Sequence, residues 1–256
     1  MLLALDVGNT NVTVGVFQGS ELGAHWRLRT VHDQTADEWG ILLRNLFALA
    51  SLDFAGIDGT IIASVVPPLD SMLADMARQY FNTDALFVTS ETETGLKILV
   101  DNPREVGADR IVNGVAAFRL HGGPCVVVDM GTAITFDAIS AASEYLGGVI
   151  CAGIGISIEA LFAKTARLPL VDFREPRRLI GTNTVDNMQS GLYYGAIGMI
   201  DGILERMIAE LGPQTRAIAT GGQARLIVRG SRYLKVVDDD LTLKGLQFIW
   251  ERNQSR

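Results

Sequence analysis

The chain is 256 residues long, 48 % hydrophobic and poor in aromatics and proline, with a formal charge of −7 and a pI near 5.0. That length supports one substantial core or two medium ones packed together, and the hydrophobic fraction fits a folded α/β protein, with only the C-terminal ERNQSR reading as disordered. The acidic balance argues against nucleic acid, which needs clustered Lys and Arg, and no stretch reaches membrane-spanning length. MLLALDVG is too short and lacks the basic leader of an export signal. Cys125 and Cys151 lie in apolar strand-like runs without metal-ligand spacing, and they read as buried thiols of a reducing, cytoplasmic compartment.

In chain order, LLALDVGNTNVTVGVF at 2–17 reads as a strand, a tight turn and an antiparallel strand, with Asp6 at the tip of the first strand. A third strand is expected at 22–29. Thr35-Ala36-Asp37-Glu38 is a capping-box signature for a helix to about Ser51, with Trp39, Leu42, Leu43, Leu46, Phe47 and Leu49 on its apolar face. A buried strand at 59–66 is stopped by Pro67-Pro68, and a helix at 70–80 and a strand at 85–89 follow. The order β-β-β-α-β-α-β is the ribonuclease H-like plan. A connecting helix is expected at 108–120.

The second half repeats the first. CVVVDMGTAITFDAIS at 125–140 has the same pattern, with Asp129 in the place of Asp6. Strands are expected at 125–129, 132–139 and 145–151, helices at 157–165 and 186–211, then strands at 216–220 and 234–237 and a helix at 242–252. The basic stretch at 173–178 is broken by Glu175 and Pro176 and reads as a solvated loop. The duplication predicts two ribonuclease H-like halves, 1–115 and 116–256, around a nucleotide cleft. Two acidic hairpins facing each other across such a cleft can hold a metal-bound phosphate chain, which points to phosphoryl transfer.

The candidate residues follow from chemistry. Asp6-Val7-Gly8-Asn9-Thr10-Asn11-Val12-Thr13 offers a carboxylate for Mg²⁺, a glycine that lets backbone approach a phosphate, and side-chain and main-chain donors; the same residues also make a plain hairpin turn. Asp129, ending a Val-Val-Val run, is costly to bury unpaired and should meet a cation or strong donors, with Thr132 beside it. Thr220-Gly221-Gly222 follows a strand and can lay an adenine or ribose against backbone, or simply close a tight connection. Asp109, flanked by Gly107 and Arg110, is either a helix N-terminal charge or the acceptor of a hydroxyl proton, with Arg110 as an anion clamp. His25, His32 and His121 have no nucleophile partner and are assigned surface or loop positions.

DVGNTN, NPREVGADRIVN at 102–113, DMGTA at 129–133, GTNTVDNMQSG at 181–191, ATGG at 219–222 and DDLTLKGL at 239–246 occur in an order that resembles the type III pantothenate kinases of the acetate and sugar kinase, Hsc70 and actin superfamily. The resemblance covers nearly the whole chain and implies ATP-dependent phosphorylation of pantothenate at its terminal hydroxyl, the first step toward coenzyme A. It implies that residues 6–13 and Thr132 hold ATP and Mg²⁺, and that Asp129 binds a monovalent cation, K⁺ or NH₄⁺. It further implies that Gly107, Ala108, Asp109 and Arg110 line the pantothenate site with Asp109 as proton acceptor, that Thr184 contacts pantothenate, and that a homodimer places the acceptor site at the subunit interface. Departures from the family pattern are Val100 in place of a tyrosine, Ile134 in place of a threonine, and the absence of a proline before Gly153, where Cys151-Ala152 stands. A non-catalytic, nucleotide-binding accessory protein of the same fold is the alternative, and the intact Asp6, Asp109, Asp129 and Thr132 speak against it.

Overall fold

The computed structural model describes residues 1–254 of the chain, which divide into two units: Met1–Ala116 with the segment that starts at Leu241, and Ala117–Asp240. The first unit is built on a sheet of β1 (Leu2–Val7), β2 (Asn11–Gln18), β3 (Glu21–Arg29), β4 (Gly59–Ser64) and β5 (Leu86–Phe87), in the order β3-β2-β1-β4-β5. β1 and β2 are antiparallel and β1 and β4 parallel. Alternation sends Leu3, Leu5, Val7, Val12, Val14 and Val16 to one face, where they pack with Trp39, Leu43 and Phe47 of α1 (Ala36–Leu49) and Leu69, Leu73 and Met76 of α2 (Pro67–Phe81). Thr35 caps α1 with the full reciprocal box, as its sequence predicts. Leu49, expected on the apolar face, is instead 82 % exposed at the last turn.

Pro67 and Pro68 do more than stop a strand. They occupy the first positions of α2, where a missing N–H costs nothing and the fixed φ suits the helix, so α2 begins three residues before the expected Asp70. After the two-residue β6 (Lys97–Ile98), α3 (Ala108–His121) carries the chain into the second unit. His121 ends α3 half-buried, with Nε2 enclosed and unpartnered, not on the surface as expected; His25 and His32 are exposed.

The second unit has β7 (Cys125–Met130), β8 (Ala133–Ile139), β9 (Glu144–Ala152), α4 (Ile154–Lys164), α5 (Thr184–Leu211), β10 (Arg216–Thr220), α6 (Ala224–Ile227) and β11 (Val236–Val237). Its own strands run β11-β10-β7-β8-β9, with β7 and β8 antiparallel and β7 and β10 parallel. Val126, Val128, Met130, Ile134 and Phe136 fill one face against Ile197, Ile200 and Leu204 of α5. The basic loop at 173–178 has no helix or strand. Cys125 is buried while Cys151 is only half-buried, so one of the two thiols departs from the expectation.

The last helix corrects the expected second half of 116–256. α7 (Leu241–Gln254) belongs to the first unit, where it packs on β1, β2 and β4. Leu241, Leu243, Leu246 and Ile249 bury the face of that sheet opposite α1 and α2, and Leu243 is so close to β2 that a Cβ at Gly15 would stand 3.0 Å from its methyl groups. An uncovered sheet face needs an apolar partner, and a helix at the chain end supplies it. α7 also runs into the ERNQSR segment expected to be disordered, of which Ser255 and Arg256 lie outside the described residues.

Candidate active site

The two hairpins have the same construction. β1 and β7 share one burial pattern, four buried residues, a half-buried aspartate and a buried residue, and each aspartate sits directly across from a threonine: Asp6 opposite Thr13 and Asp129 opposite Thr135. Both aspartates point to the sheet face away from the main apolar core of their unit, because they alternate with Leu5 and Val7, or Val128 and Met130.

In the first tip Gly8 N donates to Asn11 O at 3.0 Å, Thr30 Oγ1 donates to Gly8 O at 2.6 Å, and Thr30 N donates to Thr10 O at 3.0 Å. The Gly8 N–H is therefore used within the turn, and a Cβ there would lie 3.1 Å from Asn11 O. Gly8 shapes the tip, which carries the exposed Asn9 and Thr10 and the half-buried Asn11. In the second tip Gly131 N donates to Ala133 O at 3.0 Å, which leaves Thr132 exposed at the apex.

Asp109 lies in the first turn of α3 at the same sheet edge as Asp6. Val65, just past β4, donates its N–H to Val7 O at 3.0 Å, and a Cβ at Gly107 would stand 3.4 Å from Val65 Cγ1. This is the carboxyl edge of the parallel strands β1 and β4, where open α/β sheets place ligands. The Asp109 Oδ1 accepts the Arg110 N–H at 2.8 Å and would be 2.5 Å from a Cβ at Gly107, so a glycine there makes room for the carboxylate. Burial pushes the Asp109 carboxyl above its ordinary value, and the Arg110 N–H and guanidinium pull part of the way back. Arg110 is half-buried, Ala108 is buried, and Val100 is half-buried between β6 and α3.

In the second unit Thr220 pairs with Asp129 across β10 and β7, and the turn that follows presses on it. Gly221 has φ +91°, and a Cβ would stand 2.6 Å from Asp129 Oδ1 and 2.7 Å from the Met130 backbone. Gly222 is exposed beside it. The structure thus brings Asp129, Thr132, Gly221 and Gly222 to one edge, and α6 after them is a single turn. Thr184 opens α5, whose cap is Asn183 accepting from Asp186 N at 2.9 Å, and it lines a cleft of about 590 Å³ with Ile134, Ala152, Ile154, Ser157 and Leu161. Gly153 links that cleft to the acidic tip: its N–H donates to Thr132 O at 3.2 Å, and a Cβ would be 2.1 Å from the same oxygen. Ile134 and Ala152 both line this cleft.

Thr135 and Asp137 share the face of Asp129, and Tyr145 bonds Asp137, without any of the three having been singled out as chemistry. The signal was available: a three-residue tip, 131–133, pairs 129 with 135 and 127 with 137, which puts Thr135 and Asp137 on the face of Asp129. Burial pushes the Cys125 thiol up to about 12, so it is an inert buried thiol.

The architecture is that of the duplicated ribonuclease H-like, actin-like ATPase fold class. The structure aligns with the Campylobacter jejuni protein described as a candidate Baf family transcriptional activator at TM-score 0.61 and 19 % identity over 99 % of this chain and 100 % of that one. It aligns with the apo ParM protein of pSK41 at TM-score 0.51 and 12 % identity over 99 % and 97 %. Residues 2–206 match the type III pantothenate kinase family. The type III pantothenate kinase of Solibacter usitatus is 71 % identical over 99 % of this chain and 97 % of its own length, and that of Koribacter versatilis is 56 % identical over 100 % and 97 %. The chain belongs to the type III pantothenate kinases, enzymes that phosphorylate pantothenate in the first step of coenzyme A biosynthesis.

Proposed function

We infer that Asp109 is the group through which this chain moves the phosphoryl group of ATP to the terminal hydroxyl of pantothenate. The observation that carries the reading is a half-buried carboxylate, made more basic by burial, on the sheet edge that also bears the Asp6 tip. Asp109 orients the hydroxyl and takes its proton as the oxygen bonds to the γ-phosphorus and the bond to ADP breaks. Arg110 and the Gly107-Ala108 backbone hold pantothenate, and Thr184 contacts it from the rim of its apolar cleft. Asn9, Thr10, Asn11 and Thr13, with Val7, Gly8 and Val12 shaping the turn, hold the phosphates; Thr132 adds a hydroxyl, and Gly221 and Gly222 offer flat backbone to the nucleoside.

Asp6 is a single oxygen-donor carboxylate, which suits Mg²⁺ that keeps waters and phosphate oxygens as its other ligands. When bound, Mg²⁺ neutralises charge on the transferred group. Asp129, between the hydroxyl-bearing Thr135 and Thr220, offers the oxygen donors that K⁺ or NH₄⁺ accepts. Homodimer formation is supported by large apolar side chains left exposed in the second unit, among them Phe162 at 51 % and Ile180 at 80 %. Free thiols and an intracellular cosubstrate support a cytoplasmic enzyme, and no helix among the described residues is long and apolar enough to cross a membrane.

The test is a coupled ADP-release assay with MgATP, KCl and pantothenate, against mixtures lacking one component, with product mass measured in parallel. Phosphopantothenate formed only in the complete mixture supports the reading. Nucleotide binding without product would place the chain with the non-catalytic accessory proteins.

A further inference from the structure

Asp137 is fully buried in the middle of β8, an unusual place for a carboxylate. Its Oδ1 accepts the hydroxyl of Tyr145 at 2.7 Å, itself 1 % exposed, and its Oδ2 accepts the hydroxyl of Thr135 at 3.2 Å. Thr135 is the residue directly across the hairpin from Asp129, where facing side chains stand about 5 Å apart. We propose that Asp137 and Tyr145 are positioning residues that fix the direction of the Thr135 hydroxyl, so that Thr135 turns lone pairs toward Asp129 and serves as a ligand of the monovalent cation. The proposal rests on the assignment of that cation to Asp129.

A threonine hydroxyl has one hydrogen and two lone pairs, and an ionised carboxylate can only accept. With its hydrogen directed to Asp137, Thr135 offers its other side only acceptor density, which a cation uses and a phosphate oxygen does not. The Tyr145 hydroxyl occupies the second oxygen of Asp137, which holds the carboxylate in place and lowers the cost of its burial. On the other flank of Asp129 stands the buried Thr220, and the Gly221 turn passes so close that a Cβ there would meet the carboxylate at 2.6 Å, so hydroxyl oxygens flank Asp129 from both neighbouring strands.

The first hairpin supplies the contrast. Asp6 also faces a threonine, Thr13, but the position matching Asp137 is Gly15, packed against Leu243. No carboxylate behind Thr13 claims its hydrogen from that position, so Thr13 can donate to phosphate oxygens. One acidic turn thereby becomes an anion site and its repeat a cation site, and the difference lies one strand residue pair away from the threonine. A purely structural Asp137–Tyr145 pair would stabilise β8 and β9 without selecting which way Thr135 points.

The experiment is ²⁰⁵Tl NMR and competitive KCl titration of thallium(I) on the full-length protein with MgADP, which reads cation affinity without turnover. Asp129→Asn should abolish binding. Thr135→Val, Asp137→Asn and Tyr145→Phe should each weaken it, the first two by about 10-fold or more. Thr135→Ser should restore parent affinity. A folded Thr135→Val or Asp137→Asn with the parent's affinity overturns the proposal while leaving Asp129 as the cation residue. Retained binding in Asp129→Asn overturns the cation assignment itself. If Asp137→Asn does not fold, Thr135→Val and Tyr145→Phe decide.

Discussion

Replacing Gly221 by alanine perturbs the point where two strands and an acidic tip meet. The residue holds φ +91°, a conformation that costs an L side chain about 1–2 kcal/mol. The new Cβ would stand 2.6 Å from Asp129 Oδ1 and 2.7 Å from Met130 backbone atoms, far inside the ordinary carbon contact of about 3.5–4.0 Å. Backbone on one side and a strand-bound carboxylate on the other cannot both yield, so crowding adds about 1–3 kcal/mol. The sum is about 2–5 kcal/mol. For a unit the size of the second one each kcal/mol is worth about 3–5 °C, so its unfolding should move down by roughly 6–25 °C in calorimetry. Gly198→Ala is the matched control: it lies exposed within α5 with nothing within 4 Å of a Cβ, and alanine there should raise stability by about 0.5–1 kcal/mol. An unchanged transition for Gly221→Ala, with thallium binding intact, would refute the close approach of this turn to Asp129.

Gly107→Ala places a Cβ 2.5 Å from Asp109 Oδ1; displacing the proton acceptor should lower kcat by about 100-fold while ATP binding by calorimetry stays near the parent value. Burial raises the Asp109 carboxyl, so the ionised group opposes folding above its folded pKa, and that penalty disappears as pH falls below the unfolded value. Asp109→Asn should therefore melt higher than the parent at neutral pH and converge with it in acid; a gain that persists unchanged into acid would contradict the buried-carboxylate reading.

Much of this molecule was legible because its rules are local. The capping box at Thr35, the glycine turns after Asp6 and Asp129 and the apolar alternation of β1 and β7 each depend on a few adjacent residues. The repeat was legible for the same reason, down to a shared burial pattern. What the sequence concealed depends on long-range pairing. α7 reads as the end of the second half, and only its packing on β1 and β4 returns it to the first. Proline spelled a stop after β4 but also a start for α2, because one residue satisfies both rules. Gly8 reads in the sequence as room for a phosphate to approach, and only the turn geometry shows that its N–H closes onto Asn11. Asp137 carries no local signal, and the β7–β8 register with its bonds to Thr135 and Tyr145 connects it with Asp129.

The central claim is that Asp109 takes the proton of the acceptor hydroxyl, and single-turnover phosphorylation by Asp109→Asn tests it most directly. The account predicts a rate lower by about 10²–10⁴-fold with MgATP affinity kept near the parent value. Parent-like phosphorylation of pantothenate by that variant would contradict it.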